Sequence, residues 1–437
     1  MVLIYLTSIF CNKYNVKLCA SKTKLQIFST KSTKVNSSSP GSEIIHIDND
    51  AVEKADFADH VGILRSPLGN QPTIMARISA HKKAMAAVLH VGLARGHRGN
   101  PAAGLRVETT YGLPVLLSGL SALVLTKADE DLINNHHKEM ISNIQRLLPR
   151  TPRSVIYFLG GSLPGSARLH LRQLSNFGMI CRLPLKNILN NHARNIFNYS
   201  TISNKSWFMK IRELCIKYDL PHPKELLGNP PTKTTYKSMV RKKVISFWEK
   251  ILRKEAAALD SLLYFKPGFM SLTRPHPLWT TAGSSPSKVA MASIQAVMIS
   301  GRYRSESICR HWSPKNKDGF CLLSPSPSCS KTVETLTHIL YFCVSLQPTR
   351  DKLKLLALNY SAGVPEIRDI VINYLVYPTD PDLTCQVLLD CSVVPCVISA
   401  VQHHGRLVLD HLFHITRIWV YNLHKQRMKI LGRWNSF

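Results

Sequence analysis

The sequence predicts a mainly α-helical fold with a small α+β segment at its N-terminus, on three observations. From about residue 72 onward, apolar residues recur at three- and four-residue intervals, the period of a helix with one buried face. β-like pieces are confined to the first 68 residues. Four of the eleven cysteines fall between residues 309 and 343 with a histidine among them, which marks a small metal-binding module between helical regions.

Residues 1–30 read as a short helix, a turn and a strand, and the polar run at 30–42 as a loop. Two β-like pieces follow at Glu43–Ile47 and His60–Leu64. Helical periodicity then covers Ile74–Leu93, Gly112–Leu148 and Ala167–Asn195, broken at Gly99-Asn100-Pro101, Pro149 to Pro152 and Gly160-Gly161. Asp129, Glu130 and Asp131 stand together in the second stretch and read as a solvated helix face. A second helical block spans 204–265, where Val240, Val244, Phe247 or Trp248, Ile251 and Leu252 form the apolar stripe. Lys237, Arg241, Lys242, Lys250, Arg253 and Lys254 fall largely around the other side. The prolines and glycines of 266–290 read as a linker. The tail from Asp351 is helical and ends in Leu407–Trp434.

Between linker and tail, Cys321-x7-Cys329-x8-His338-x4-Cys343 offers three thiols and an imidazole, the ligand complement of a closed structural zinc site. Leu336, Ile339 and Leu340 place the His-x4-Cys half on a helix. The Ser-Pro insertion between the first two cysteines is longer than the two to four residues usual in a knuckle. The sequence leaves open whether Cys309 or His311 takes one of the four places.

Lysine and arginine number 56 against 27 acids, a net charge of +29. That imbalance points to a polyanionic partner, most often nucleic acid. The odd, uneven cysteines fit a reducing compartment better than a disulfide framework. No run of eighteen apolar residues suggests a bilayer span, and Met1–Phe10 lacks the basic start of a signal peptide. An intracellular protein, in nucleus or cytoplasm, is expected.

Lys13-Tyr-Asn-Val-Lys-Leu-Cys-Ala-Ser-Lys-Thr-Lys-Leu25 resembles the palm segment after the catalytic Asp-Asp hairpin in reverse transcriptases of LINE-type (non-long-terminal-repeat) retrotransposons. His60-Val-Gly-Ile-Leu64 looks like the following aliphatic-glycine hairpin that holds the primer end. Gly301-Arg-Tyr-Arg, Cys309-Arg-His-Trp-Ser-Pro, the two cysteines and Glu334-Thr-Leu-Thr-His-Ile-Leu-Tyr-Phe-Cys343 are similar to the knuckle near the C-terminus of those polyproteins. The resemblance implies a partial palm at 1–68, a helical thumb-like region at 69–203 and a basic helical linker region at 204–300. A zinc-knuckle-like module at 301–346 and a helical tail at 347–437 complete it.

The same resemblance implies that Lys22 lies near the departing pyrophosphate, that Lys24 is a candidate for nucleic-acid contact and that Gly62 lets backbone approach the primer. Arg241, Lys242, Lys250, Arg253, Lys254, Arg302 and Arg304 are the further candidates for phosphate contact. Trp312, Phe320 and Tyr341 are candidates for base stacking. Polymerase chemistry needs two divalent ions held by carboxylates, and no Tyr/Phe-Ala-Asp-Asp occurs in the chain. Magnesium therefore belongs only to an intact parent polymerase, and this chain is expected to be inactive alone. Pro381-Asp382 and Asp390 lack the following Glu-x-Lys of a restriction-like nuclease. The expected cofactor is one zinc ion, and no membrane association is expected. The expected partners are RNA and DNA, with a separate palm-and-fingers segment or other proteins of the element beside them. The alternative is a domesticated protein-interaction scaffold that binds no metal.

Overall fold

The computed structural model describes residues 69–89, 99–199, 206–310, 318–323 and 327–433, with short pieces of the first 68 residues. In those pieces β1 (Lys24–Leu25) pairs in parallel with β4 (Glu53–Lys54). β2 (His46–Ile47) pairs antiparallel with β3 (Asp50–Ala51), and β5 (Ala58–His60) with β6 (Ile63–Arg65). These are three separate two-stranded ladders, and such ladders bury too little to stand alone. The expected α+β palm segment is therefore not supported by the described residues, although the β5–β6 hairpin falls on the His60–Leu64 stretch.

The rest is helix. Numbering helices of ten residues or more, the first part holds α1 (Gln71–Leu89), α2 (Lys127–Ile144), α3 (Gly165–Cys181), α4 (Ile188–Tyr199), α5 (Trp207–Lys217) and α6 (Lys233–Ala257). The second part holds α7 (Pro286–Ile299), α8 (Gln347–Ala362), α9 (Pro381–Asp390), α10 (Pro395–His404) and α11 (Leu407–Ile430). Their starts follow local chemistry. Thr126 and Asp129 form a reciprocal capping box on α2, Ser206 caps α5, and proline stands in the first turn of α7, α8, α9 and α10, where its missing N–H is not needed.

The long helix α6 buries Tyr236, Val240, Val244, Trp248, Leu252 and Ala256, every fourth residue, so the stripe winds slowly around the helix. It packs on α3, where Tyr236 Oη donates to the Leu174 carbonyl at 3.1 Å. In the second part α11 is the hub against which α7, α8, α9 and α10 lie. One apolar core runs from Met85 through to Leu423, across the expected boundaries at 203 and 300. A smaller cluster joins Ile74 and Ile78 of α1 to Leu113–Leu125, Ile133 and Leu169.

Two readings need correction. The supposed linker at 266–290 is part of the core, because Leu272, Leu278, Trp279 and Ala282 between its prolines are buried. Trp279 Nε1 donates to Gln145 across 134 residues of sequence. The acidic trio is not one solvated face. Asp129 caps, Asp131 pairs with Lys127 in solvent, and Glu130 turns inward to His170 and Lys210, each at 3.1 Å.

The stretch Pro381–His404 is long and apolar enough to cross a membrane by length and composition, with a mean hydropathy of 1.8. It is mostly packed inside the protein, however, and Asp390 in its middle is buried against His276 at 3.2 Å. Asp382 accepts from Tyr264 Oη at 2.9 Å. Both acids of the nuclease-like pattern thus serve packing.

Candidate metal centre

The four predicted ligands converge. Sγ of Cys321, Cys329 and Cys343 and a ring nitrogen of His338 all lie within 4.8 Å of one another, and all four side chains are buried. The sulfur separations are 3.6 Å for Cys321–Cys329, 3.8 Å for Cys329–Cys343 and 3.9 Å for Cys321–Cys343. His338 Nε2 stands 3.4 Å from Cys329 Sγ. A tetrahedron with metal–sulfur bonds near 2.3 Å and metal–nitrogen bonds near 2.05 Å requires about 3.8 Å between sulfurs and about 3.6 Å from sulfur to nitrogen. The cluster has the right size to hold one such ion, and none of the three cysteines is in a disulfide.

Local structure explains how unusual spacing produces that geometry. Residues five apart on an α-helix diverge by about 140°. Here His338–Phe342 forms a π turn, in which the Cys343 N–H reaches the His338 carbonyl at 2.7 Å. That wider turn sets residue i+5 nearly over residue i, so imidazole and thiol share a side. Single π turns of this kind gather at functional sites. The sequence pattern anticipates a helix here but not its winding.

The other half is a pinched loop. Cys321 N–H donates to Thr332 O at 2.9 Å, Thr332 N–H to Cys329 O at 3.0 Å, and Glu334 N–H to Gly319 O at 2.9 Å. Phe320 and Val333 form an antiparallel bridge. The long insertion therefore leaves the base of the loop closed, with Cys321 and Cys329 on the same side. Gly319 makes the entry possible. Its φ is +70°, and a Cβ there would stand 2.9 Å from Ser307 Cα.

Two of the three thiols resist ionisation and the third ionises more readily. A hydrogen bond with Cys343, and then burial, push Cys321 up to about 12. Burial raises Cys329 as well, while the same hydrogen bond lowers Cys343. A bound cation must displace those protons, which is the ordinary coupling of thiolate ligation to pH.

Surrounding polar groups anchor the module. Arg350 Nη2 donates to the Cys343 carbonyl at 2.5 Å. Glu334, fully buried, accepts from Arg427 of α11 at 2.5 Å and from the Glu306 N–H at 3.0 Å. Glu306 in turn lies 2.8 Å from Arg433. Tyr264 Oη shares a hydrogen bond with Thr337 at 2.6 Å. No local pattern announces the Glu334–Arg427 pair, whose partners are 93 residues apart.

No family model, curated protein or solved structure matches this chain. Its chemistry is read from its own geometry.

Of the predicted phosphate contacts, Arg241, Lys242, Lys250 and Lys254 are exposed along α6, and Arg304 is exposed beside the knuckle. Arg253 differs from expectation. It is half-buried, donates to the Pro267 carbonyl at 3.2 Å, bonds Glu249 and sits over the Phe158 ring, so its charge is spent inside. Arg302 is half-buried as well. Lys22 and Gly62 lie outside the described residues, and of Lys24 only the backbone, in β1, is described. Cys309 is buried but not in the four-ligand group, and His311 and Trp312 lie outside the described residues. Tyr341 Oη is tied to the Pro378 carbonyl at 3.2 Å. Phe342, which the sequence reading passed over, is 54% exposed beside it.

Proposed function

We propose that this chain is a nucleic-acid-binding portion of a LINE-type retrotransposon reverse transcriptase, without polymerase activity of its own, that holds one structural zinc ion. The observation that carries the reading is the buried Cys3His group whose spacings match a zinc tetrahedron. All-sulfur-and-nitrogen ligation in a closed, buried site favours zinc over harder ions. When bound, zinc supplies a structural cross-link between the pinched loop and the π turn. Three thiolates around a divalent ion leave one net negative charge, and Arg350 against the Cys343 carbonyl is placed to offset it.

Nucleic acid enters through charge. Lys242, Lys250 and Lys254 on α6, with Arg241 and Arg304, offer exposed cations to phosphates. Phe342 is the available stacking surface on the knuckle, since base–aromatic stacking tolerates any sequence. The palm contacts at Lys22, Lys24 and Gly62 belong to the resemblance alone. The catalytic carboxylate pair is not in the sequence, so templated synthesis needs a separate palm. The protein acts inside the cell, in nucleus or cytoplasm, on RNA and DNA. Filter binding to single-stranded RNA at rising salt, with metal analysis of the same preparation, tests the reading. Steep salt dependence and one zinc in the Cys3His group support it, and binding indifferent to salt overturns it.

A second reading, a domesticated protein-interaction scaffold, draws on Met179, Leu185, Ile188, Leu189 and Tyr199, large apolar side chains exposed within twenty residues of sequence. A tight protein partner together with absent zinc favours it.

A further inference from the structure

A cleft of about 350 Å³ opens where the knuckle meets the helical tail. That volume is at the lower end for sites that take small organic groups, roughly 300 to 1,000 Å³. Tyr341 enters its lining from the π turn, Arg350 and Lys354 from α8, Tyr377 from the chain just before α9, and Trp419 from α11. Most of the remaining lining is aliphatic, and it contains no carboxylate.

Two cations without an acid give the cleft a positive sign, and they are not equivalent. Four residues apart on α8, they share one side of the helix. Arg350 is buried and committed, donating to the Cys343 carbonyl and to Gln347. Lys354 is half-buried and makes no hydrogen bond or ion pair among the described residues. Of the two, it is Lys354 that remains to pair with the charge of a ligand. Trp419 Nε1 is buried without a hydrogen-bond partner among the described residues, a donor that an acceptor on a bound group satisfies. The aromatic lining favours a planar group. Tyr377 is 72% exposed, and Tyr341 meets Phe342 edge to face with ring centroids 4.9 Å apart. Phe342 is not in the lining, so the cleft continues into the exposed stacking surface of the knuckle.

We propose, resting on the nucleic-acid role above, that this cleft takes one unpaired nucleotide of an RNA strand, its base among Tyr341 and Tyr377 and its phosphate on Lys354. A planar ring joined to an anion is what aromatic faces and one free cation select. Stacking asks for a ring and not for a particular base, so occupancy tolerates any sequence. A paired base has first to be unstacked, which costs free energy, so single strands are preferred to duplex. Phe342 favours a strand over a free nucleotide, because the neighbouring base then has a ring of its own to stack on.

Photocrosslinking of the zinc-loaded full chain to a thiouridine-substituted single strand of RNA, with peptide mapping, tests this beside salt titrations of binding. Crosslinks at Tyr341 or Tyr377 are expected. Tyr377→Ala should weaken binding about tenfold, the scale of one base–aromatic stack, with the salt slope unchanged, and Tyr377→Phe should restore it. Lys354→Ala should lower the log–log salt slope by about 0.7. Both side chains reach solvent, so each variant should keep its fold and its one zinc. Crosslinks elsewhere, with unaltered affinity and slope in both variants, overturn the cleft and leave the salt-dependent binding of the strand standing. A strand that does not bind overturns both. Duplex RNA or adenosine monophosphate bound as tightly as the strand overturns the assignment to an unpaired residue within a strand.

Discussion

Replacing Glu334 with alanine tests how the knuckle is fastened to the rest of the protein. Glu334 is fully buried and takes two hydrogen bonds from Arg427, at 2.5 and 3.2 Å, and one from the Glu306 N–H. Removing one member of a buried ion pair costs about 3 to 5 kcal/mol, because the other charge is left without its partner. Arg427 keeps Glu306 at 3.7 Å and the Tyr303 ring, which holds the cost to the lower end, about 3 kcal/mol. Unfolding entropy near 2.1 cal/mol/K per residue, over 437 residues, converts about 3 kcal/mol into a fall of roughly 3 °C for cooperative melting.

Urea denaturation of Glu334→Ala, Arg427→Met and the double variant measures this directly. The double variant should recover part of the loss, because no charge is then stranded, with a coupling of about 1 to 3 kcal/mol. A single-variant loss below about 1 kcal/mol, or strict additivity in the double, would refute the argument that this pair fastens the module.

Cys343→Ser should abolish stoichiometric zinc and open residues 301–346 to protease while far-UV dichroism barely changes, because the module carries only short helical turns. Changing Lys242, Lys250 and Lys254 together to alanine should flatten the log–log salt slope of single-stranded RNA binding by about 2, at roughly 0.7 per phosphate contact. Gly319→Ala should destabilise by about 1 to 3 kcal/mol, since it forces a side chain into left-handed backbone against Ser307. For Glu130, burial works to raise the pKa, but His170 and Lys210 outweigh it and hold it at about 2. Its folded value is below its unfolded one, so its contribution is present above about pH 4.5 and lost as pH falls toward 2. Glu130→Gln should therefore weaken stability at pH 7 and flatten the acid limb of a denaturation profile.

The Cys3His group was legible because the residue types carry the chemistry, whatever the backbone does between them. The π turn was not, since a spacing of five between His338 and Cys343 is equally a splayed pair on an α-helix. Only the Cys343 N–H to His338 bond distinguishes the two. The helical class was legible from α6, whose buried residues recur every fourth position. The supposed linker misled because its prolines are local signals, while the burial of Trp279 depends on Gln145 in a distant helix. The cleft beside the knuckle escaped notice for the same reason, its walls being brought together only by the packing of α8, α9 and α11.

The arginines refine what the charge surplus means. Arg146, Arg194, Arg253, Arg350 and Arg417 each donate to a backbone carbonyl, of Gly99, Leu227, Pro267, Cys343 and Leu278 respectively. Several of these carbonyls stand at or near helix ends, where acceptors are left over and a cation is favoured. Part of the +29 is therefore engaged by carbonyls of the protein itself, fully buried at Arg350 and Arg417 and half-buried at Arg146, Arg194 and Arg253. The case for a polyanionic partner rests instead on the exposed lysines, above all those of α6. Lysine-to-alanine changes there should alter the salt slope with little effect on stability, whereas Arg350→Ala or Arg417→Ala should do the reverse. If both classes move the slope equally, the internal role assigned to the arginines is wrong.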